Sequence, residues 1–152
     1  LTYLSSLTGH TWTRTRSDLS KFKFGADIRL LYDATIKRHS RYLKAFGGSP
    51  GKPDFVLETN TADGWTPLWI GDAKNKFTND IDGDDAERFL RYLVDCLPAG
   101  RETIGTLYCA AGERRRAVRT DDYTIAFQRT RPYETEIQLL PAAVRTTLEE
   151  QS

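Results

Sequence analysis

Two short β-type runs, Asp54–Thr59 and Thr66–Asp72, flank the turn pair Asp63-Gly64 and are preceded by the Gly/Pro-dense segment Gly47–Pro53. Runs of this kind around an Asp-Gly turn predict an antiparallel hairpin. That hairpin limits what can be built around it. Upstream, Ile28, Leu31, Tyr32, Ile36, His39, Tyr42, Leu43 and Phe46 recur at three- and four-residue steps, which predicts a helix from about Phe24 to Ala45. Gly47 and Gly48 are expected to stop it, with Pro50 preventing continuation. Downstream, Phe89, Leu90, Leu93, Val94 and Leu97 mark a second amphipathic helix over about Asp84–Cys96, ended by Pro98-Ala99-Gly100. Strands are expected at Thr103–Ala111 and Tyr123–Arg129, with Arg-rich Gly112–Arg119 as a loop or hairpin tip. The expected order is αββαβ, an α/β fold with a mixed sheet flanked by helices.

At 152 residues the chain is expected to form one domain, residues 1–152, with a core that needs no disulfide staples. It has two cysteines, no methionine and no run of the roughly 20 apolar residues that a membrane helix requires. The absence of methionine leads us to expect a domain from a longer chain. With no secretory leader in the sequence, cytoplasm is the expected compartment.

The net charge of +1 conceals an uneven distribution. From Arg14 to Lys52 ten Lys/Arg stand against three Asp, whereas Pro53 to Glu102 has eleven acids and five bases. Thr103 to Arg119 is again basic, through Arg114, Arg115, Arg116 and Arg119. Basic segments beside an acidic middle suit a protein that attracts phosphate with one and a divalent cation with the other. A solvated helix face produces the same pattern.

The chemistry concentrates between Pro53 and Lys76. In a strand, residues two apart share a face, so Asp72 and Lys74 should emerge together, and the hairpin should fold Asp54 back toward them. Two converging carboxylates repel, and a divalent metal with hard oxygen ligands relieves that cost.

Pro53-Asp54 followed at hairpin spacing by Asp72-Ala73-Lys74 resembles the PD-(D/E)xK nuclease superfamily. Leu31-Tyr32-Asp33 in the expected first helix, Asp85, Arg88 and Tyr92 in the second, and the strand Gly105-Thr106-Leu107-Tyr108 are similar to restriction-type (McrC-like) nuclease domains. The resemblance spans about Phe24 to Ala111 and implies a restriction-endonuclease-like core. No strand is expected ahead of Pro53-Asp54, so that core should be trimmed. The resemblance further implies Mg²⁺-dependent hydrolysis of phosphodiester bonds, with Mn²⁺ as a substitute and DNA favoured over RNA. Asp54 and Asp72 would ligate metal, the Ala73 carbonyl could add a ligand, and Lys74 would orient or help deprotonate the attacking water. Asp33 is the candidate helix acid, with Asp27 as its competitor. Lys52, Lys76, Arg88, Arg114, Arg115 and Arg116 are candidates for nucleic-acid contact. Expected partners are nucleic acid, further domains of a parent restriction or antiviral-defence protein, and a second copy of the chain. The alternative is a non-cleaving module of the same fold that binds nucleic acid or scaffolds a complex.

Other motifs fail on chemistry. Asp80, Asp82 and Asp84 imitate a calcium loop, but Asp85 stands where it needs glycine and Arg91 where it needs glutamate. They are better explained as helix N-terminal charge. Gly51-Lys52 lacks the first glycine of a phosphate loop and is followed by Pro53. His10, His39, Cys96 and Cys109 have no zinc-ligand spacing, and Trp65 and Trp69 suit packing better than base stacking.

Overall fold

In a computed structural model, the described residues are 13–14, 21–24, 26–33, 40–43, 45–48, 51–74, 82–97, 104–109, 115–119 and 121–129. They form a mixed α/β unit. The strands are β1 (Thr13–Arg14), β2 (Lys21–Phe24), β3 (Ile28–Tyr32), β4 (Phe55–Thr61), β5 (Gly64–Lys74), β6 (Ile104–Cys109), β7 (Arg115–Arg119) and β8 (Thr124–Arg129), with one helix, α1 (Gly83–Cys96), among the described residues. The strands make a single sheet in the order β1-β2-β3-β4-β5-β6-β8-β7. Pairing is antiparallel from β1 through β5, parallel for β5–β6 and β6–β8, and antiparallel for β7–β8. The parallel step from β5 to β6 requires a crossover, and α1 lies within that connection.

The predicted helix over Phe24–Ala45 is overturned at its start, where Ile28–Tyr32 is a strand between β2 and β4. Ile28, Arg29, Leu30 and Leu31 are all buried, so both faces of β3 are covered. A run apolar on both faces satisfies helical spacing as readily as strand spacing, and periodicity alone does not separate the two. The expectation that no strand precedes Pro53-Asp54 fails with it, since β1, β2 and β3 all do. Residues 34–39, including Ile36 and His39, lie outside the described residues. At the far end of the predicted helix the described residues 40–43 and 45–48 carry bends and turns instead of helix, and the glycines close a turn: Gly47 takes a left-handed φ of 73°, and the Gly48 N–H reaches the Leu43 carbonyl at 2.7 Å. That six-to-one bond is the hydrogen bond of a Schellman turn.

The hairpin forms with longer strands than its sequence runs suggest. Ala62 and Asp63 make the turn, and Gly64 supplies the left-handed φ of 100° that such a tight reversal needs. Helix α1 begins with Asp82 as its N-cap, whose carboxylate accepts the Asp85 N–H at 3.0 Å. Asp84 and Asp85 occupy the first turn, where they complement the positive helix end. The second correction concerns Arg115–Arg119, expected within a loop or hairpin tip and found as the edge strand β7. Arginines suit a sheet edge because their charge opposes pairing with another chain.

The core lies between α1 and one sheet face. Leu31, Val56, Ile70, Leu107 and Ile125 meet Phe89, Leu93, Cys96 and Leu97, with Tyr123 closing the cluster. Gly105 lets the helix approach: a Cβ there would fall 2.5 Å from Leu93 Cδ2 and 2.7 Å from Phe89 Cζ. Val94, counted in the apolar stripe, is instead exposed. On the opposite face, Trp69 donates its indole N–H to the Thr106 hydroxyl at 3.0 Å and packs edge-on against Tyr108. Trp69 is therefore a packing residue.

Candidate metal and phosphodiester site

Sheet register brings three acids into one row. Tyr32 pairs with Phe55 and Phe55 with Gly71, so the next residues along are Asp33, Asp54 and Asp72 at adjoining strand ends. The Asp33 N–H donates to the Asp54 carbonyl at 2.8 Å, which extends the β3–β4 ladder by one step. Both carboxylates are tied across the hairpin to backbone N–H groups. The Asp54 N–H donates to Asp72 Oδ1 at 3.3 Å, and the Ala73 N–H donates to Asp54 Oδ2 at 2.7 Å. Lys74, two residues beyond Asp72 on the same face of β5, donates its ammonium to Asp72 Oδ2. Asp54, Asp72, Ala73 and Lys74 thus form one group at the end of β5.

The electrostatics of this group favour a cation. Burial pushes the Asp72 carboxyl above its ordinary range; the Lys74 ammonium pulls it back, and the Asp54 charge adds to the rise. Asp72 is buried and Asp54 half-buried. A carboxylate raised in this way, beside a second carboxylate, gains from any positive charge placed between the two. The donors are all hard oxygens, which suits Mg²⁺ bound through one or two carboxylates and completed by water. Among the described residues no three acid, His or Cys side chains converge in a metal-holding group.

Asp33 stands in the row, but at the end of a strand instead of in a helix, and its side chain turns to Lys52. Lys52 Nζ lies 2.8 Å from Asp33 Oδ1, and this contact, with the nearby Asp54 charge, holds the lysine above its ordinary range despite a small opposing effect of burial. Asp27 is at the other end of β3, where its carbonyl accepts the Asn60 N–H at 2.8 Å. A strand of that length separates it from Asp54 by roughly 15–20 Å. That removes Asp27 from the site. Lys52 follows Gly51, which packs so closely on the Tyr92 ring of α1 that a Cβ would collide with it. Pro53 is buried. Backbone packing on both sides of Lys52 therefore fixes the strand that carries Asp54.

Among the described residues no hydrogen bond or ion pair joins Arg88 to this group. Arg88 is exposed on α1. Arg115 and Arg116 sit on β7, three strand spacings from β5 across β6 and β8, or about 14 Å. Lys76 and Arg114 lie outside the described residues. The sequence reading missed the Lys52–Asp33 pair, because only the β3–β4 register makes the two neighbours. No protein-family model matches the chain, and no curated protein matches its sequence.

Proposed function

We propose that this chain is a Mg²⁺-dependent endonuclease domain of restriction-endonuclease-like fold that hydrolyses phosphodiester bonds in nucleic acid, DNA in preference to RNA. The observation that carries the reading is the pair of bonds that tie Asp54 to the end of β5, its N–H to the Asp72 carboxylate and its own carboxylate to the Ala73 N–H, with Lys74 on Asp72. A structural scaffold gains nothing from two adjoining carboxylates, one of them buried with its carboxyl pushed upward. Sites of chemistry accept such costs.

Asp54 and Asp72 would hold the metal, with the Ala73 carbonyl as a further oxygen donor. Held there, Mg²⁺ would supply positive charge to a phosphoryl oxygen and make a neighbouring water more acidic, together worth several kcal/mol of transition-state stabilisation. Lys74 has two tasks. Its ammonium shields the buried Asp72 charge, and it can orient a water toward the phosphorus. Lys52, more than half exposed on the same edge, is placed to meet a backbone phosphate.

The test is incubation of supercoiled DNA, linear DNA and RNA with the purified domain and Mg²⁺ or Mn²⁺, beside Asp72→Ala and Lys74→Ala. Metal-dependent cleavage that disappears in both variants is expected. Cleavage persisting in both would remove the assignment, and binding without cleavage by the wild type would favour a non-cleaving nucleic-acid module.

A further inference from the structure

Asp33 presents a contradiction. It stands in the acidic row, its N–H bonded to the Asp54 carbonyl, yet its carboxylate faces Lys52. Its φ of 51° makes it the one left-handed non-glycine among the described residues. Such a conformation is strained for a non-glycine residue, though Asp and Asn bear it best. An observed outlier beside a reactive site asks for a use.

The charges on that edge suggest one. Lys52 and Asp33 keep 53% and 58% of their side-chain surface exposed, so the pair is wet, weak and open to exchange. A nucleic-acid phosphate offers Lys52 the same kind of oxygen that Asp33 offers, with the rest of a polyanion behind it. Asp33 in turn bonds the backbone of Asp54, so the carboxylate that occupies Lys52 is attached to the strand end carrying the metal donors.

We propose that Asp33 is an internal stand-in for a substrate phosphate: its carboxylate occupies Lys52 in the free protein and is displaced when a nucleic-acid phosphate takes the lysine. This rests on the nuclease reading and refines it. Asp33 then restrains binding until a backbone phosphate arrives, and Lys52 is the phosphate contact adjoining Asp54. Because the restraint is a single exposed pair, its size is small. Removing the Asp33 charge should tighten binding about two- to fivefold, the range an exposed ion pair allows.

The experiment is a double-mutant cycle on the whole domain. Fluorescence anisotropy with a labelled DNA duplex of about 30 base pairs, in EDTA and over a series of salt concentrations, compares wild type, Asp33→Asn, Lys52→Ala and the double variant. Asn tolerates the left-handed backbone at position 33, and thermal melts verify folding of each protein. Asp33→Asn should tighten binding, Lys52→Ala should weaken it and reduce the salt slope by about one phosphate, and the double variant should match Lys52→Ala alone. Equal tightening by Asp33→Asn with and without Lys52 would mean a general charge effect and would overturn the proposal, as would no tightening at all. Metal-dependent cleavage by the wild type alongside either result leaves the nuclease reading standing. A wild type that neither binds nor cleaves nucleic acid overturns both.

Discussion

The last turn of α1 carries Asp95, a buried acid at the helix end where negative charge is least favourable. Its carboxylate Oδ1 accepts the Tyr42 N–H at 2.7 Å and the Leu43 N–H at 3.0 Å, and its carbonyl accepts the Arg41 N–H at 3.0 Å. Arg41 returns the contact, its guanidinium donating to the carbonyls of Val94, at 2.7 Å, and Leu97. Replacing Asp95 with Ala removes the Ser40 hydrogen bond and the two charge-assisted backbone bonds, the latter each worth about 1.5–3 kcal/mol. Water reaches part of the segment around Tyr42, so the loss should be about 2–4 kcal/mol, or a fall in Tm of roughly 5–12 °C for a domain of this size. The pH dependence fixes the mechanism. Burial pushes the Asp95 carboxyl up, but hydrogen bonds from Ser40 and from the Leu43, Tyr42 and Arg41 backbones outweigh it and hold the group below the ordinary range. A lowered folded pKa contributes stability above the unfolded value, near 3.9, and that contribution disappears as pH falls through the folded value. Urea unfolding of wild type and Asp95→Ala should therefore show a gap that is full at pH 7 and shrinks below about pH 4. A gap under about 0.5 kcal/mol at pH 7, or one unchanged down to pH 3, would refute the clasp, because uncharged packing carries no such dependence.

Three further outcomes follow from the same geometry. Mn²⁺ at about a hundred times its dissociation constant should stabilise the wild type by about 2.7 kcal/mol and raise Tm by roughly 5–10 °C, with no rise in Asp54→Ala or Asp72→Ala; a differential scanning fluorimetry shift in either variant equal to the wild type would contradict the donor assignment. Gly105→Val forces a side chain into Phe89 and Leu93 and should cost about 1–3 kcal/mol in urea unfolding, whereas an unchanged midpoint would mean the helix is not seated where described. The Cys96 thiol is pushed up to about 12 by burial and then by the Asp95 charge, so in a Cys109→Ser protein a disulfide reagent at pH 8 should label Cys96 only after unfolding; native labelling would refute its burial.

The parts of the fold legible in the sequence are those written in local chemistry. Asp63-Gly64 marked the hairpin, Asp82 through Asp85 the start of α1, and Phe89 and Leu93 its buried stripe. These depend on residues within a turn or two of one another. Ile28–Tyr32 was unreadable in that way, because its identity as a strand comes from Lys21–Phe24 on one side and Phe55–Thr59 on the other. The same applies to Arg115–Arg119, whose partner Thr124–Arg129 supplies the ladder. The site was partly legible: Asp72 and Lys74 share a strand face by spacing alone. The bonds that tie Asp54 to Ala73, and the pairing of Lys52 with Asp33, depend on cross-strand register.

Register also decides whether Asp54 meets Asp72, and Leu68 sets it. Counting back from the turn, Thr61 pairs with Gly64, Asn60 with Trp65, Thr59 with Thr66 and Glu58 with Pro67. Continued without interruption, this ladder would set Asp54 opposite Gly71 and leave Asp72 one step away. Instead Leu57 pairs with Trp69, so Leu68 is the surplus residue of a bulge, and from there Phe55 faces Gly71 and Asp54 comes to Asp72. Pro67 is at the same place, before β5 begins its pairing with β6 at Ile70, where its missing N–H breaks no bond to that strand. Deleting Leu68 should therefore regularise the hairpin and keep the Asp54–Asp72 pair, with a loss of stability no larger than a half-buried leucine explains, about 1–2 kcal/mol. Inserting one Ala after Leu68 should do the reverse, moving Asp72 a step along and turning its side chain to the other sheet face. The Mn²⁺-induced rise in Tm should survive the deletion and vanish with the insertion, both proteins retaining a cooperative melt. Loss of the rise in the deletion variant, or its retention after the insertion, would mean that Leu68 is not the surplus residue around which the Asp54–Asp72 register is set.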